Sequence, residues 1–221
     1  MLKYLKTNQT ITVKIPATIL TTFTILFLLT SQLFATDIKV KMDTEDTATT
    51  WQIDRSHSAI NFTINHFFTP VDGSFDDYDA TVNFDPNNLE ASSIDVTIPV
   101  ESVNTRNQRR DNHLKSEDFF NTSQWPNIRF VSHSIESLGD NQFVAHGELT
   151  IRDMTHSFEL PFELLGVMDH PMRENTKVAG IVADAQLMRT DYGVGVGDWA
   201  ATAVVGDRVN IRLNLELTAS E

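Results

Sequence analysis

The sequence predicts an all-β fold, namely an eight-stranded antiparallel barrel with one short helical insertion. The first observation is strict alternation of apolar and polar residues, which is clearest in 209–217 (VNIRLNLEL). This period of two is typical of a strand with one buried and one wet face. The second observation is that each strand has only one apolar face, whereas parallel sheets covered by helices show continuous apolar runs. Turn-forming pairs such as Asp72-Gly73 and Gly206-Asp207 separate the segments and favour short connections.

The alternation places each strand along the chain. In 59–66 the apolar residues are Ile60, Phe62 and Ile64, and in 157–164 they again fall on every second position. Four segments match the pattern well and four match it more weakly. In chain order the predicted strands cover residues 59–66, 78–84, 93–100, 128–135, 142–151, 157–164, 178–188 and 209–217.

Closure of these strands into a barrel is the favoured architecture, and a β-sandwich is the competing one. An open sheet of this size would expose two edges, and closure removes both. The interior of an eight-stranded barrel is either just filled by its own side chains or able to hold one small ligand.

One polar segment departs from the strand pattern. Residues 105–116 (TRNQRRDNHLKS) are predicted to be helical, with Thr105 and Gln108 in the spacing of a capping box. Arg109 and His113 are four residues apart and are therefore predicted to share one face of the helix.

The N-terminal segment is predicted to be a targeting sequence. Residues 1–14 contain three lysines and no acidic residue, residues 15–34 are apolar, and Ala35 follows. This order describes a secretory signal peptide; an uncleaved N-terminal anchor is the alternative. Residues 36–50 are rich in Thr and charge and are predicted to be a linker, so the barrel domain is expected to cover 51–218. A periplasmic or secreted location follows from this prediction.

Composition excludes several functions. The net charge of −13 argues against a nucleic-acid partner, which needs a basic face. The chain contains no cysteine, which excludes disulfides, thiolate metal sites and a catalytic thiol. The seven histidines show no metal-binding spacing, and neither a metal nor another cofactor is predicted.

Several short motifs, taken in this order, resemble the YceI-like family of secreted or periplasmic proteins. The most specific is 110–120 (RDNHLKSEDFF), and the resemblance extends over roughly 51–217. The other matching segments are 51–58 (WQIDRSHS), Asn65-His66, 71–75 (VDGSF), 96–100 (VTIPV), 102–105 (SVNT), Pro126, Phe130, 147–151 (GELTI), 154–156 (MTH) and 189–195 (RTDYGVG).

The resemblance implies a lipocalin-like barrel that binds a polyisoprenoid or fatty-acyl lipid without catalysing a reaction; the oligomeric state, including a homodimer, stays open. The residues predicted to line the lipid site are Phe62, Phe75, Phe84, Ile98, Phe119, Phe120, Phe130 and Trp199. A polar rim for the lipid head group is predicted at Arg109, Arg110, His113 and Lys115, because Arg offers forked donors to a phosphate or carboxylate.

Three alternatives remain open from the residues alone. The aromatic residues could simply fill the barrel, which would leave a secreted, stress-related interaction module. The basic cluster could be a solvated helix face. A hydrolase or isomerase acting on a lipid could use His113 or His57 with a neighbouring carboxylate, although no nucleophile elbow is visible.

Overall fold

The computed structural model describes residues 47–220, and every structural statement below concerns them. The predicted leader (1–35) and most of the predicted linker (36–50) lie outside the described residues. Thr50, the last residue of that linker, already belongs to the first strand, and Ala48 is buried. Within residues 47–220, no helix has the length and apolar character needed to span a bilayer.

The described residues form eleven strands and one α-helix, with four short 3₁₀ turns between them. Their bounds are β1 (Thr50–Ile53), β2 (Ala59–His66), β3 (Thr69–Phe75), β4 (Asp79–Asn83), β5 (Ser93–Pro99), β6 (Val103–Asn104), α1 (Gln108–Lys115), β7 (Asn127–Gly139), β8 (Gln142–Ile151), β9 (Met154–Asp169), β10 (Thr176–Met188) and β11 (Val205–Ser220).

Eight of these strands close into an antiparallel barrel, which confirms the predicted fold class. The ring runs β1-β4-β5-β7-β8-β9-β10-β11, and β11 pairs back onto β1 to complete it. The long β10–β11 ladder extends from Thr176 opposite Ser220 to Met188 opposite Arg208. Beyond the ring, β2, β3 and β6 continue the sheet from the first half of β11.

The strand count exceeds the predicted eight because two stretches of the wall are interrupted and the short strand β6 pairs with β3. β1 and β2 both pair with β11, and residues 54–58 bend the chain between them. The Asp54 side chain accepts a hydrogen bond from the Ser56 backbone N–H, a local turn that competes with the ladder. Facing this bend, residues 76–78 separate β3 from β4, and Arg55 donates to the carbonyl oxygen of Tyr78 across the two bends.

The helix begins later than predicted, and the predicted capping box is wrong. Asn107 is the N-cap, and its side chain accepts from the Arg110 backbone N–H. The Thr105 hydroxyl instead donates to Asp111 Oδ1 (2.5 Å) and accepts from Arg110 Nε (2.7 Å). Thr105 thus joins β6 to α1 through side chains, which leaves Asn107 to satisfy the first free N–H of the helix.

One end of the barrel is filled by aromatic side chains. Phe84 packs edge-on against Phe143 and Phe162 with ring centroids 5.1 and 5.4 Å apart. Trp51 Nε1 donates to the Phe84 carbonyl oxygen at 2.8 Å, and both residues are buried. Because Phe143 lies at the start of β8, this cluster forms the floor of the barrel, whereas α1 lies at the other end.

Candidate functional site

The barrel encloses a cavity of about 690 Å³. This volume lies within the range of small-molecule sites, roughly 300–1,000 Å³. The apolar face of β11 supplies Val209, Ile211, Leu213, Leu215 and Leu217 to its wall, as the alternation predicted. The interior is therefore not filled by the barrel's own side chains.

All eight residues predicted to line the lipid site lie on the cavity wall. They are distributed from the floor, where Phe84 contributes, to the helical end, where Phe119 packs against Trp199 at 5.5 Å. The Phe75 ring packs between two other predicted residues, 5.5 Å from the ring of Phe62 and 6.3 Å from that of Phe120. The structure does not test whether these residues bind lipid, so that role stays a prediction.

Three of the four predicted rim residues reach the wall. Arg109, Arg110 and His113 line the cavity. Lys115 does not: its Nζ lies 3.2 Å from Glu101 Oε2, on another face of the helix. Spacing explains the difference, since residues four apart share a face, as Arg109 and His113 do.

The two arginines of the rim differ in what they can do for a ligand. Arg110 is occupied, because its Nη2 donates to the Thr105 carbonyl oxygen at 2.8 Å in addition to the Nε contact. Arg109 is exposed, and its side chain makes no hydrogen bond or ion pair with any of the described residues. It is therefore the guanidinium of the rim with donors available for an incoming anionic or carbonyl group.

His113 lies between the rim and the apolar wall. Its Nε2 is 2.8 Å from Asp118 Oδ2, and its ring packs edge-on against Phe119 and Trp199, with centroids 5.0 and 4.9 Å away. The carboxylate fixes the ring orientation, and the two aromatic rings hold it in place.

A buried arginine that sequence reasoning missed organises the same end of the barrel. Arg189 is 3% exposed and lines the cavity, and its guanidinium donates to the carbonyl oxygens of Val194 (2.7 Å), Val205 (3.0 Å) and Gly206 (2.9 Å). Burial lowers its pKa from the ordinary value, and Asp207 acts in the opposite direction. The carbonyl contacts fix the 189–206 loop, which brings Trp199 to the wall. The sequence signal that could have identified Arg189 was its position in the 189–195 segment that matches the family.

Tyr78 is a second polar wall residue that the strand pattern did not identify. It is 4% exposed, and burial raises the pKa of its phenol. Ser58 is the polar group beside it, but the Ser58 hydroxyl is engaged with the backbone of Glu216. Among the described residues, the Tyr78 hydroxyl consequently has no hydrogen bond of normal geometry. Buried hydroxyls normally have a partner, and the group beside this one is Ser58, which does not line the cavity.

Five further polar residues at or near the helical end line the cavity and were not predicted: Asn61, Asn65, His66, Thr105 and Asn107. Asn65 and His66 were present in the family motifs without an assigned role. The wall residues that are exposed to solvent all belong to the start of α1 and the end of β2, so the cavity opens there. They are Asn65, His66, Asn107, Arg109 and Arg110.

His57, the other histidine named in the hydrolase or isomerase alternative, lies apart from the cavity. His57 Nδ1 is 3.0 Å from Asp54 Oδ2 and 3.6 Å from Glu216 Oε1, at the bend between β1 and β2. The contact with Asp54 raises the pKa of His57, and the hydrogen bond from His57 lowers that of Asp54. The three side chains have ligand atoms within 4.8 Å of one another and could hold a cation. None of them lines the cavity.

The fold and the site define a hollow antiparallel barrel with one apolar ligand cavity and a polar opening. The family profile of the YceI-like domain matches residues 51–217, and the chain belongs to the YceI-like family. The UPF0312 protein SAS2572 of Staphylococcus aureus (strain MSSA476) is 34% identical over 176 residues, which cover 78% of this chain and 99% of that protein.

Solved structures show the same barrel. BcnA of Burkholderia cenocepacia superposes with a TM-score of 0.67 at 25% identity, covering 76% of this chain and 100% of that one. A polyisoprenoid-binding domain from Saccharophagus degradans, implicated in plant cell wall breakdown, has a TM-score of 0.57 at 11% identity and covers 77% and 99% of the two chains. At that identity the second likeness concerns the fold alone.

Proposed function

We propose that the protein binds one long-chain lipid in the barrel cavity, without chemical change to it. The observation that carries this proposal is a cavity of about 690 Å³ whose wall is predominantly apolar and whose charged side chains all lie at the open end. An elongated apolar molecule with one polar end fits this distribution. The proposed class is an isoprenoid, such as a prenylquinone or polyprenyl phosphate, or a fatty-acyl compound.

Burial of the chain is the proposed driving force. Each methylene removed from water contributes about 0.8 kcal/mol, so a chain of about ten carbons gains several kcal/mol after the cost of ordering it. The aromatic and aliphatic wall supplies that surface without leaving polar groups unpaired. The Saccharophagus degradans domain, described as polyisoprenoid-binding, supports the proposal by analogy of fold.

The polar end is proposed to orient the lipid. Arg109 has free donors at the opening, and His113 is held beside the apolar wall by Asp118. A phosphate or a quinone carbonyl placed there would accept hydrogen bonds while the chain extends towards Phe84 at the floor.

Binding is favoured over catalysis by the composition of the wall. Among the described wall residues there is no Ser, Lys, Asp or Glu, and the Thr105 hydroxyl is engaged by Asp111 and Arg110. His113 with Asp118 could act as a general base, but a hydrolase of this type also needs a nucleophile and an oxyanion hole. We further propose that the protein acts in the periplasm or outside the cell, after export directed by residues 1–35.

Filling the cavity from its wall tests the proposal. Ala183 is 3% exposed and faces the cavity, so the Ala183→Phe variant places a ring where the lipid chain is proposed to lie. Gln186→Phe, on the exposed side of the same strand, is the matched control. Uptake of a prenylquinone is measured by intrinsic fluorescence quenching, and purified protein is extracted with solvent for mass spectrometry.

We expect stoichiometric lipid with the wild-type chain and the control, and at least about tenfold weaker uptake with Ala183→Phe. Thermal unfolding of each variant verifies that it is folded. Equal uptake by folded wild-type and Ala183→Phe protein would overturn the proposed site. Absence of any lipid from the extract, together with no uptake by the wild type, would overturn the proposed function.

A further inference from the structure

The hairpin at the open end of the cavity has a turn that ordinary turn chemistry does not explain. β2 ends at His66 and β3 begins at Thr69, and these two residues pair directly. The loop between them consists of Phe67 and Phe68. Two-residue hairpin loops favour Asn-Gly and similar pairs, because their backbone enters the left-handed region. Phe67 has a φ of 53°, which is costly for a residue of its size.

Both phenyl rings of this loop are exposed to water. Phe68 is 97% exposed and Phe67 is 56% exposed, so neither ring contributes a normal core contact. The Phe67 backbone N–H donates to the Val204 carbonyl oxygen at 2.8 Å, which attaches the hairpin to the loop that carries Trp199. Two large apolar side chains are thus held at a fixed, solvent-facing position at the expense of an unfavourable backbone conformation.

The hairpin segment itself carries no charged side chain, which is unusual for this chain. Residues 64–71 (INHFFTPV) contain no Asp, Glu, Lys or Arg, although the whole chain has 30 acidic and 17 basic residues. An anionic protein is repelled by an anionic surface, but an uncharged apolar tip meets no such barrier at a zwitterionic one. A second copy of this chain as the partner would bring two acidic surfaces together.

The position of the hairpin connects it to the cavity. His66, which directly precedes the two phenylalanines, is one of the exposed residues that line the opening, and Val205 beside Val204 also lines it. A surface that contacted the tip would therefore lie beside the entrance. Phenyl rings at a membrane–water boundary bury apolar area without stranding polar groups.

We infer that the Phe67-Phe68 tip inserts into the surface of a zwitterionic lipid bilayer and places the opening of the cavity against it. This inference rests on the proposed function, since its purpose is the exchange of a lipid between the bilayer and the barrel. The two rings insert into the interfacial layer of the bilayer. The lipid then moves between membrane and cavity without crossing bulk water.

Depth measurements at single residues test this inference. The chain contains no cysteine, so Phe68→Cys introduces a unique site for a nitroxide spin label. Met172→Cys is the matched control, because Met172 is 86% exposed and lies in the β9–β10 connection at the opposite end of the barrel. The full chain is mixed with phosphatidylcholine vesicles, and collision with oxygen, which concentrates in the bilayer, is compared with collision with an aqueous nickel chelate. Depth is measured rather than partition because residues 15–34 could themselves attach the chain to vesicles.

With vesicles, the label at position 68 is expected to become more accessible to oxygen and at least about fivefold less accessible to nickel, whereas position 172 stays unchanged. A label at position 68 that keeps its accessibility to nickel overturns the inference, as does insertion of position 172 instead. Immobilisation of label 68 without vesicles would show that a second copy covers the tip, and would also overturn it.

Exchange kinetics separate this inference from the proposed function. The double variant Phe67→Ser with Phe68→Ser, with the cavity wall intact, should retain the equilibrium affinity for a prenylquinone while its transfer rate from vesicles falls about tenfold. Equal transfer rates in variant and wild type contradict membrane docking but leave lipid binding standing. Tip insertion in a chain that takes up no lipid contradicts the proposed function and leaves the docking surface.

Discussion

Substitution of Gly73 by alanine tests how the cavity wall is packed. Gly73 and Phe62 face each other in the β2–β3 ladder, and the phenyl ring lies over the glycine. A Cβ added at Gly73 would lie 2.3 Å from Phe62 Cζ and 2.8 Å from both Cε atoms, against 3.4–4 Å for an ordinary contact. The ring must therefore move by about 1 Å before alanine fits.

Two opposing effects determine how Gly73→Ala changes the free energy of unfolding. Alanine in a strand is more favourable than glycine by about 0.5–1 kcal/mol, while overpacking costs about 1–3 kcal/mol. The cavity beside Phe62 lets the ring relax inward, so we expect a net loss of about 1 kcal/mol for the lipid-free protein. The displaced ring then occupies volume that a lipid would use, and lipid affinity should fall about tenfold.

Urea unfolding and prenylquinone titration measure the two effects. Gly166→Ala is the matched control, since a Cβ there meets nothing within 4 Å and should leave stability unchanged or slightly raised. Combining Gly73→Ala with Phe62→Leu removes the ring tip, so the double variant should recover most of the loss caused by alanine. If Gly73→Ala is as stable as Gly166→Ala and binds lipid equally well, the proposed packing of the wall is wrong.

Three further predictions concern other parts of the barrel. Trp51→Phe removes the buried hydrogen bond to Phe84 and should lower the free energy of unfolding by about 1–3 kcal/mol in urea. Arg109→Gln should weaken uptake of a polyprenyl phosphate roughly fivefold at low salt and weaken uptake of a neutral prenylquinone less, because a carbonyl loses only a neutral acceptor's hydrogen bond. For His57, a raised folded-state pKa means that its contribution to stability is present at low pH and is lost as pH rises above about 6.5. The difference in Tm between wild type and His57→Gln should therefore shrink from pH 6 to pH 8.

The alternation of the strands predicted the inward-facing wall residues and favoured a barrel over a β-sandwich. Residues two apart on a strand face the same side, so once β11 and β2 were placed, the inward side chains of Phe62 and Leu213 followed. The bends at 54–58 and 76–78 could not be found in this way. They depend on Asp54 bonding its own backbone and on Arg55 reaching Tyr78 across two distant segments.

The polar residues of the site were predicted only where they lie close together in the sequence, on one helix. Helical spacing predicted that Arg109 and His113 share a face, and both line the cavity. Arg189 was missed because its partners are backbone carbonyls of a loop, which no side-chain pattern records. Tyr78 was missed because its importance lies in the lack of a hydrogen-bond partner, a property of the folded surroundings.

Whether the barrel is hollow depends on where its largest side chains lie, which alternation does not determine. A Phe that points inward fills the centre unless its ring can lie against the wall, and a glycine opposite provides that space. Phe62 over Gly73 is one such pair. At Gly147 an added Cβ would lie 2.2 Å from the Val131 carbonyl oxygen and 2.9 Å from the Phe130 ring, so the neighbouring backbone requires that glycine first. Both rings line the cavity. Gly73 lets the Phe62 ring lie along the wall, so the small residue leaves volume for the proposed lipid and the large one supplies apolar surface.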